Sequence, residues 1–269
     1  MTHTIRTHTI AHLSDLHFGR IDAATLDPLV AAIKEAQPDL VAVSGDLTQR
    51  ARRHEFAEAR AFLDRLPSAH IVVPGNHDVP LHNPWARFVS KWARFRRYIQ
   101  KDLEQVWTND AIAAIGINTA RALAWKGGRI SAAQMARVHR CFMAAAPGAL
   151  KVLVVHHPLD VPHEWAGGHQ AMRARKAFEH WAECGVDLIL AGHVHRAFAG
   201  GAAERLRIGN HDAVVAQAGT ATSTRGRGEP NSFNLIRVSA GEVRVIRLTW
   251  RSAVKRFEVS HEDAFARPG

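Results

Sequence analysis

An α/β fold with a largely parallel sheet is what this sequence predicts, on three observations. Short apolar runs alternate with amphipathic stretches over the first two-thirds of the chain. The runs are four to seven residues long and rich in Val, Ile or Leu, as strands buried on both faces are. Polar turns bearing His, Asp or Asn follow five of them, and the alternation itself implies βα units whose helices cover the sheet.

Strands are expected at Thr9–Leu13, Asp39–Val43, His70–Val73, Ala111–Ile117, Lys151–Val155 and Val186–Leu190. After the first of these, Leu26, Leu29, Val30 and Ile33 fall at i, i+3, i+4 and i+7, one apolar face of a helix. Ser131 and Gln134 have the spacing of a capping box ahead of Met135, Val138 and Phe142. From about residue 204 the pattern changes to strand-like runs at Ala213–Ala218, Phe233–Val238, Val243–Thr249 and Val254–Val259. This region, about 204–260, is expected to be an antiparallel meander completing the sheet system. The expectation is one domain over residues 1–269, with the chemical motifs in 9–200.

A chain of 269 residues, 46% hydrophobic, can bury a sizeable core, and 22% charged residues argue against global disorder. No apolar run approaches the roughly 20 residues of a membrane helix. The stretch Met1 to Ile10 lacks the basic-then-apolar pattern of a secretory leader. Cys141 and Cys184 form no CxxC pair, which argues against a disulfide framework and a thiolate metal site. The expected location is the cytoplasm, peripheral to the membrane if the basic segment discussed below engages lipid. The formal charge of +10 attracts anions such as phosphates, nucleotides, nucleic acid or anionic lipid. A solvated basic surface is the plainer reading of charge alone.

The chemistry lies in what ends the strands. Ser14-Asp15-Leu16-His17, Ser44-Gly45-Asp46, Pro74-Gly75-Asn76-His77-Asp78, His156-His157-Pro158 and Gly192-His193-Val194-His195 each follow an expected strand. In open α/β sheets, ligands bind beyond the carboxyl ends of the strands, so these distant groups should converge. Imidazole, carboxylate and amide oxygen suit hard or borderline cations. Seven such groups are too many for one tetrahedral ion and fit two ions roughly 3.5–4 Å apart sharing a carboxylate. Burying so many unsatisfied polar groups without a cation would be costly, which weighs against a set of ordinary turn residues.

The order Asp15-x-His17, Gly45-Asp46, Gly75-Asn76-His77-Asp78, His156-His157-Pro158 and Gly192-His193-x-His195 resembles the calcineurin-like metallophosphoesterases. Among them it is most similar to the bacterial class III cyclic-nucleotide phosphodiesterases. The resemblance implies a four-layer αββα sandwich of two mixed β-sheets flanked by helices. It implies Asp15, His17, Asp46 and His195 on one metal, and Asp46, Asn76, His156 and His193 on the other, with Asp46 bridging. His156 is preferred to His157 because the family's ligand precedes proline by two residues. The expected cofactors are two divalent or trivalent ions, Mn or Fe, with Zn as the alternative.

The implied reaction is hydrolysis of a small phosphodiester, such as a 3′,5′-cyclic nucleotide, by direct attack of metal-bound hydroxide. Asn76 and His77 would touch substrate, and His77 is the family's candidate for stabilising the transition state or protonating the leaving oxygen. Asp78 either orients His77 or closes the turn, the second reading being preferred. Arg225 and Arg227, in the polar loop Ser223–Pro230, are candidates for substrate phosphate, against the plainer reading of a solvated turn. His3, His8 and His12 read as spacers or supporting groups, and His163, His169, His180 and His211 have no motif support. Cys141, on an amphipathic helix, reads as inert.

Residues 84–106 repeat Trp85, Phe88, Trp92, Phe95, Ile99, Leu103 and Val106 at three- and four-residue spacing, with Arg87, Lys91, Arg94, Arg97 and Lys101 mostly opposite. An ordinary surface helix is the plainer expectation. The functional alternatives are a helix engaging an anionic membrane or lipid substrate, or, less favoured, single-stranded nucleic acid. The alternatives to a phosphodiesterase are a pyrophosphatase of a lipid-linked nucleotide of the UDP-diacylglucosamine type, a nuclease, and a non-catalytic phosphate-binding scaffold.

Overall fold

A computed structural model of the chain describes residues 7–67, 69–80, 84–121, 127–162, 169–202, 213–226 and 228–267. In chain order the strands are β1 (His8–Leu13), β2 (Leu40–Val43), β3 (Ala69–Val72), β4 (Val106–Thr108), β5 (Ile112–Gly116), β6 (Leu150–Val154), β7 (Leu188–Ala191), β8 (Phe198–Gly201), β9 (Val214–Gln217), β10 (Ser232–Val238), β11 (Glu242–Arg251) and β12 (Arg256–Ala266). The α-helices are α1 (Leu26–Ala36), α2 (Arg53–Leu63), α3 (Pro84–Val89), α4 (Ala93–Tyr98), α5 (Ala132–Met143) and α6 (Ala174–Ala182).

Two mixed sheets result. The first has the order β12-β11-β10-β1-β2-β3 and the second β4-β5-β6-β7-β9-β8. Strands β1, β2 and β3 are parallel, as are β5, β6, β7 and β9, so within each sheet the central strands end on one side. Strand alternation then divides the apolar side chains between two faces. Ile10, Leu40, Ala42 and Ile71 of the first sheet meet Ala114, Val152, Leu188, Leu190 and Val214 of the second. The outer face of the first sheet, Leu13, Val41 and Val43, packs on Leu29 and Ile33 of α1 and on Phe56 and Phe62 of α2. The outer face of the second, Leu153, Ile189 and Val215, packs on Val138 and Phe142 of α5 and on Phe178 and Trp181 of α6. Helix, sheet, sheet and helix form four layers, each buried Leu, Ile, Val or Phe contributing about 1.5–3 kcal/mol. The expected capping box is present: Ser131 Oγ accepts from Gln134 N at 3.2 Å and Gln134 Oε1 accepts from Ser131 N at 2.9 Å.

Three sequence expectations are corrected. Residues 84–106 are not one helix but α3, α4 and the edge strand β4, which pairs antiparallel with β5. The apolar period runs through the break because Trp92, Phe95 and Ile99 face the core while Trp85 and Phe88 face solvent. The region after 204 is not one meander: β10, β11 and β12 are antiparallel neighbours in the first sheet, but β9 lies parallel to β7 in the second. Strands β4 and β8 were not expected at all. Among the described residues no helix is long and apolar enough to cross a membrane.

Candidate metal centre

The loops after β1, β2, β3, β6 and β7 meet at the carboxyl ends of the two sheets. Their backbones are tied together directly: Asp15 N donates to Gly45 O at 3.0 Å, His17 N to Asp46 O at 2.9 Å, and Gly192 N to His156 O at 3.1 Å. Five of the side-chain-bearing residues here lie in the left-handed region: Asp15 (φ 52), His17 (φ 51), Asp46 (φ 52), His193 (φ 74) and His195 (φ 60). That conformation costs an L-residue roughly 1–2 kcal/mol and persists only where surroundings enforce it. Gly192 admits the closest approach, since a Cβ there would collide with the side chains of Ser14 and Asp15.

Two groups of lone-pair atoms follow. In the first, Asp15 Oδ1 lies 3.1 Å from His195 Nε2 and 3.6 Å from His17 Nε2, and the two imidazole nitrogens are 3.1 Å apart. Asp46 Oδ2 is 3.8 Å from His17 Nε2. In the second, Asn76 Oδ1 lies 3.0 Å from both His156 Nε2 and His193 Nδ1. The same Asp46 Oδ2 is 3.4 Å from His156 Nε2, so one oxygen belongs to both groups.

Supporting bonds orient these atoms. Asp15 Oδ2 accepts from Ser14 Oγ at 2.6 Å and from His193 N at 2.9 Å, leaving Oδ1 for the cluster. Histidine 156 and His195 bond through Nδ1 to the carbonyls of Ser44 (2.8 Å) and Arg225 (3.2 Å), which directs each Nε2 inward. His157 instead pairs Nδ1 with Thr119 Oγ1 at 2.9 Å, although its ring sits 4.6 Å from that of His193 and it clusters with His156 and His193.

The electrostatics fit cations at both positions. Burial alone would raise the Asp15 and Asp46 carboxyls, but His195 and His17 beside the first, and His156 and His77 beside the second, hold both well below the usual range. Burial would lower His156, yet Asp46 outweighs it and draws the imidazole up to about 9. Burial lowers His17, and it takes His193 down to about 3 with help from His156. The carboxylates thus demand positive charge that the neighbouring imidazoles supply only by taking protons. Asp15 Oδ1 is buried and accepts no well-aligned hydrogen bond, its near neighbours being the imidazole nitrogens of His195 and His17. Such an orphan is costly unless a cation takes the lone pair.

His77 borders the centre. Its backbone N donates to Asp46 Oδ1 at 2.8 Å, its Nδ1 bonds to Gln49 O at 2.9 Å, and its Nε2 accepts from Arg225 Nη1 at 3.1 Å. Asp78 does not touch that ring in any of these contacts. Its buried carboxylate accepts from Gly75 N (2.9 Å), Leu47 N (3.2 Å), Thr48 N (2.9 Å) and Thr48 Oγ1 (2.8 Å), fastening the β3 loop to the β2 loop. Burial, reinforced by Asp46, pushes this carboxyl up to about 7. The structure therefore brings Asp15, His17, Asp46, Asn76, His77, His156, His193, His195 and Arg225 together. Arg227, His3, His163 and His211 lie outside the described residues.

Sequence reasoning missed Gln49, Ser44, Ser14, Thr119 and the proximity of His169, whose ring is 5.3 Å from that of His193. Carbonyl acceptors carry no side-chain signal. Ser14 and Ser44 could have been found as hydroxyls directly flanking the motif residues.

Two mixed sheets with buried Asp, His and Asn gathered at their strand ends define the class, an α/β sandwich with a candidate metal centre. The family model for the calcineurin-like phosphoesterases matches residues 8–197, and the chain belongs to that family. No curated protein sequence matches the chain. Among solved structures it is similar to purple acid phosphatase PPD1 from yellow lupin (Lupinus luteus) seeds, with TM-score 0.73 and 11% identity over 98% of this chain. It spans only 55% of that protein. A dimetal phosphatase from Danio rerio gives TM-score 0.66 and 12% identity over 97% of this chain and 99% of the other. PhoD gives TM-score 0.71 and 10% identity over 98% and 70%. At these identities the structures share the fold. Family membership and the buried His/Asp clusters together imply a dinuclear metal centre and metal-dependent phosphoester hydrolysis.

Proposed function

We propose that this chain hydrolyses small phosphodiesters, with 3′,5′-cyclic nucleotides as the leading substrate class, in the manner of the bacterial class III phosphodiesterases. The observation that carries the reading is Asp46 Oδ2, one carboxylate oxygen reaching into two otherwise separate groups. Asp15, His17, Asp46 and His195 would hold one ion, and Asp46, Asn76, His156 and His193 the other. Nitrogen-rich ligation with hard oxygen favours Mn or Fe, with Zn as the alternative. When bound, the two cations neutralise phosphate charge and acidify water.

The chain's own residues do the rest. Asp46 Oδ1 and Gln49 O fix His77 by backbone and ring, so that its Nε2 meets Arg225. Arg225 Nη1 can turn from that nitrogen to a non-bridging phosphate oxygen, and a single guanidinium suits the single charge of a diester. Once Arg225 has turned away, His77 Nε2 would take a proton from solvent water and give it to the leaving oxygen as the P–O ester bond breaks. Asn76 and His77 contact substrate, and Asp78 keeps their loop closed. The reading places the protein in the cytoplasm.

One observation favours a second reading. Trp85 and Phe88 of α3 are exposed and follow the Gly75–Asp78 loop closely in the chain, which suits a lipid-linked nucleotide pyrophosphate presented at an anionic membrane. The test is kcat/KM of metal-reconstituted protein on cyclic AMP, bis-p-nitrophenyl phosphate, UDP-diacylglucosamine and single-stranded DNA. Preference for cyclic AMP supports the first reading, preference for the lipid nucleotide the second, and preference for DNA a nuclease. Full metal content without turnover of any of them would leave a phosphate-binding scaffold.

A further inference from the structure

We propose a second, mononuclear site for a borderline transition-metal dication of the Zn²⁺ type, formed between α5 and α6 by His139, His180 and Glu183. It shares no residue with the dinuclear centre and does not rest on the reading of that centre.

His139 lies on α5, His180 in the last turn of α6, and Glu183 caps the same helix. Residues three apart on a helix are neighbours, so His180 and Glu183 present themselves together toward the facing helix. One ligand atom from each of the three residues falls within 4.8 Å of the other two. The two imidazoles stand 5.0 Å apart at 28°. The two rings stack, so a side-chain rotation is needed to turn a nitrogen of each towards a shared ion.

Three further observations point to a ligand. His139 Nδ1 is buried and has no hydrogen-bond partner, and a buried, unsatisfied ring nitrogen is costly unless something takes it. The site lies at the carboxyl end of α6, where the unpaired carbonyls favour positive charge. The frame is also rigid without any ion. Trp181, beside His180, donates from Nε1 to Met135 O at 3.1 Å, and Met135 lies one turn before His139 on α5. The two ligand-bearing backbones are therefore held in place before a cation arrives, which cuts the ordering cost of binding.

The donor set selects the ion. Two imidazoles and a carboxylate suit Zn²⁺, Cu²⁺ or Ni²⁺ and disfavour Mg²⁺ and Ca²⁺, which prefer oxygen. With one donor atom of each residue already within 4.8 Å of the others, rotation of the three side chains would let His139, His180 and Glu183 hold one ion together. Because the ligands come from both helices of the outer layer, the ion would cross-link that layer over the second sheet.

The test counts metal. Metal-free protein is equilibrated with Zn²⁺, freed of excess, and its zinc measured per chain. The wild type should hold one equivalent more than either His139→Ala or His180→Ala. Glu183→Gln, a near-isosteric change at an exposed position, should weaken the extra equivalent by at least about tenfold in calorimetry. Hydrolysis of bis-p-nitrophenyl phosphate should be equal in all four proteins. Cys141→Ser, a control for thiolate binding on the same helix, should keep the wild-type count. Equal zinc in the wild type and both histidine variants overturns the site, as does loss of the extra equivalent in Cys141→Ser.

Discussion

Arg225 donates from Nη1 to His77 Nε2 at 3.1 Å, while its own carbonyl accepts from His195 Nδ1 at 3.2 Å. One residue of a late polar loop thereby braces a histidine of the first ligand group and the histidine that borders both groups. The backbone half of this arrangement survives any substitution that keeps the loop, whereas the guanidinium half does not.

Arg225→Gln should therefore keep both metals but lose the positive charge offered to phosphate. We expect kcat/KM to fall about 10- to 100-fold, mostly through KM, because a charge-assisted contact made in the ground state is removed. Steady-state kinetics with metal analysis reads both quantities. Unchanged kinetics would return Arg225 to the status of a solvated turn.

Asp46 and His77 should separate by metal content. Asp46→Asn weakens both ion positions at once, because Oδ2 reaches both groups, and should lose metal and activity together. His77→Ala should retain the ions and lose roughly 100- to 10,000-fold in kcat, the range of a general acid. Equal metal loss in the two variants would refute this division of roles.

Gly192 tests the packing beneath the ligands. A methyl group there meets Ser14 Oγ and Asp15 Oδ2. Gly192→Ala should lower stability by about 1–3 kcal/mol, as overpacking does, and weaken metal binding by displacing Asp15. Denaturant unfolding of the metal-free proteins isolates the first effect, and metal titration the second. A variant as stable and as metal-loaded as the wild type would show that the loops yield easily.

His12 gives a pH signature. It is buried beneath the site with Nε2 on Ser44 Oγ at 2.9 Å, and burial lowers it from 6.5 to about 3. The unfolded chain thus binds this proton more readily than the folded one. Its contribution to stability is complete above 6.5 and is lost as pH falls from 6.5 towards 3. His12→Gln keeps an amide for Ser44 and cannot titrate. Between those limits the metal-free wild type should lose up to about 1.4 kcal/mol more per pH unit than the variant. Parallel stability curves would remove His12 from the account of acid sensitivity.

How much of this the sequence carried depended on what each residue was asked to do. Strands β2 and β7 were legible because both faces of each are covered, so the chain spells them as unbroken apolar runs, and β1, β3 and β6 keep enough of that run around His8, Thr9, His12, His70 and Lys151 to be read as well. Strand β8, Phe198–Gly201, is an edge strand in which one Phe precedes Ala and two Gly, and it has no such run. Val106–Thr108 was hidden inside a helical period that Trp92, Phe95 and Ile99 sustain for their own packing. The sheet to which β9 belongs could not be read, since apolar runs do not say which neighbour they will pair with. At the site, the Asp, Asn and His side chains that end the strands were legible from their motifs, whereas His169 beside His193 was not. What holds them was not: the carbonyls of Ser44, Gln49 and Arg225 act through the backbone, and Arg225 lies outside the strand-end pattern.

The left-handed backbone at Asp15, His17, Asp46, His193 and His195 has a consequence for the chain when it is stripped of ions. Tension is concentrated at one end of the molecule, in turns whose residues would rather sit elsewhere on the dihedral map. Chelation removes the restraint that sets against it, so the strand-end loops should open to proteases while the twin sheets beneath stay shut. A loaded centre would then act as a clasp as well as a reagent, and nicking by a dilute protease would report its occupancy before any substrate is added.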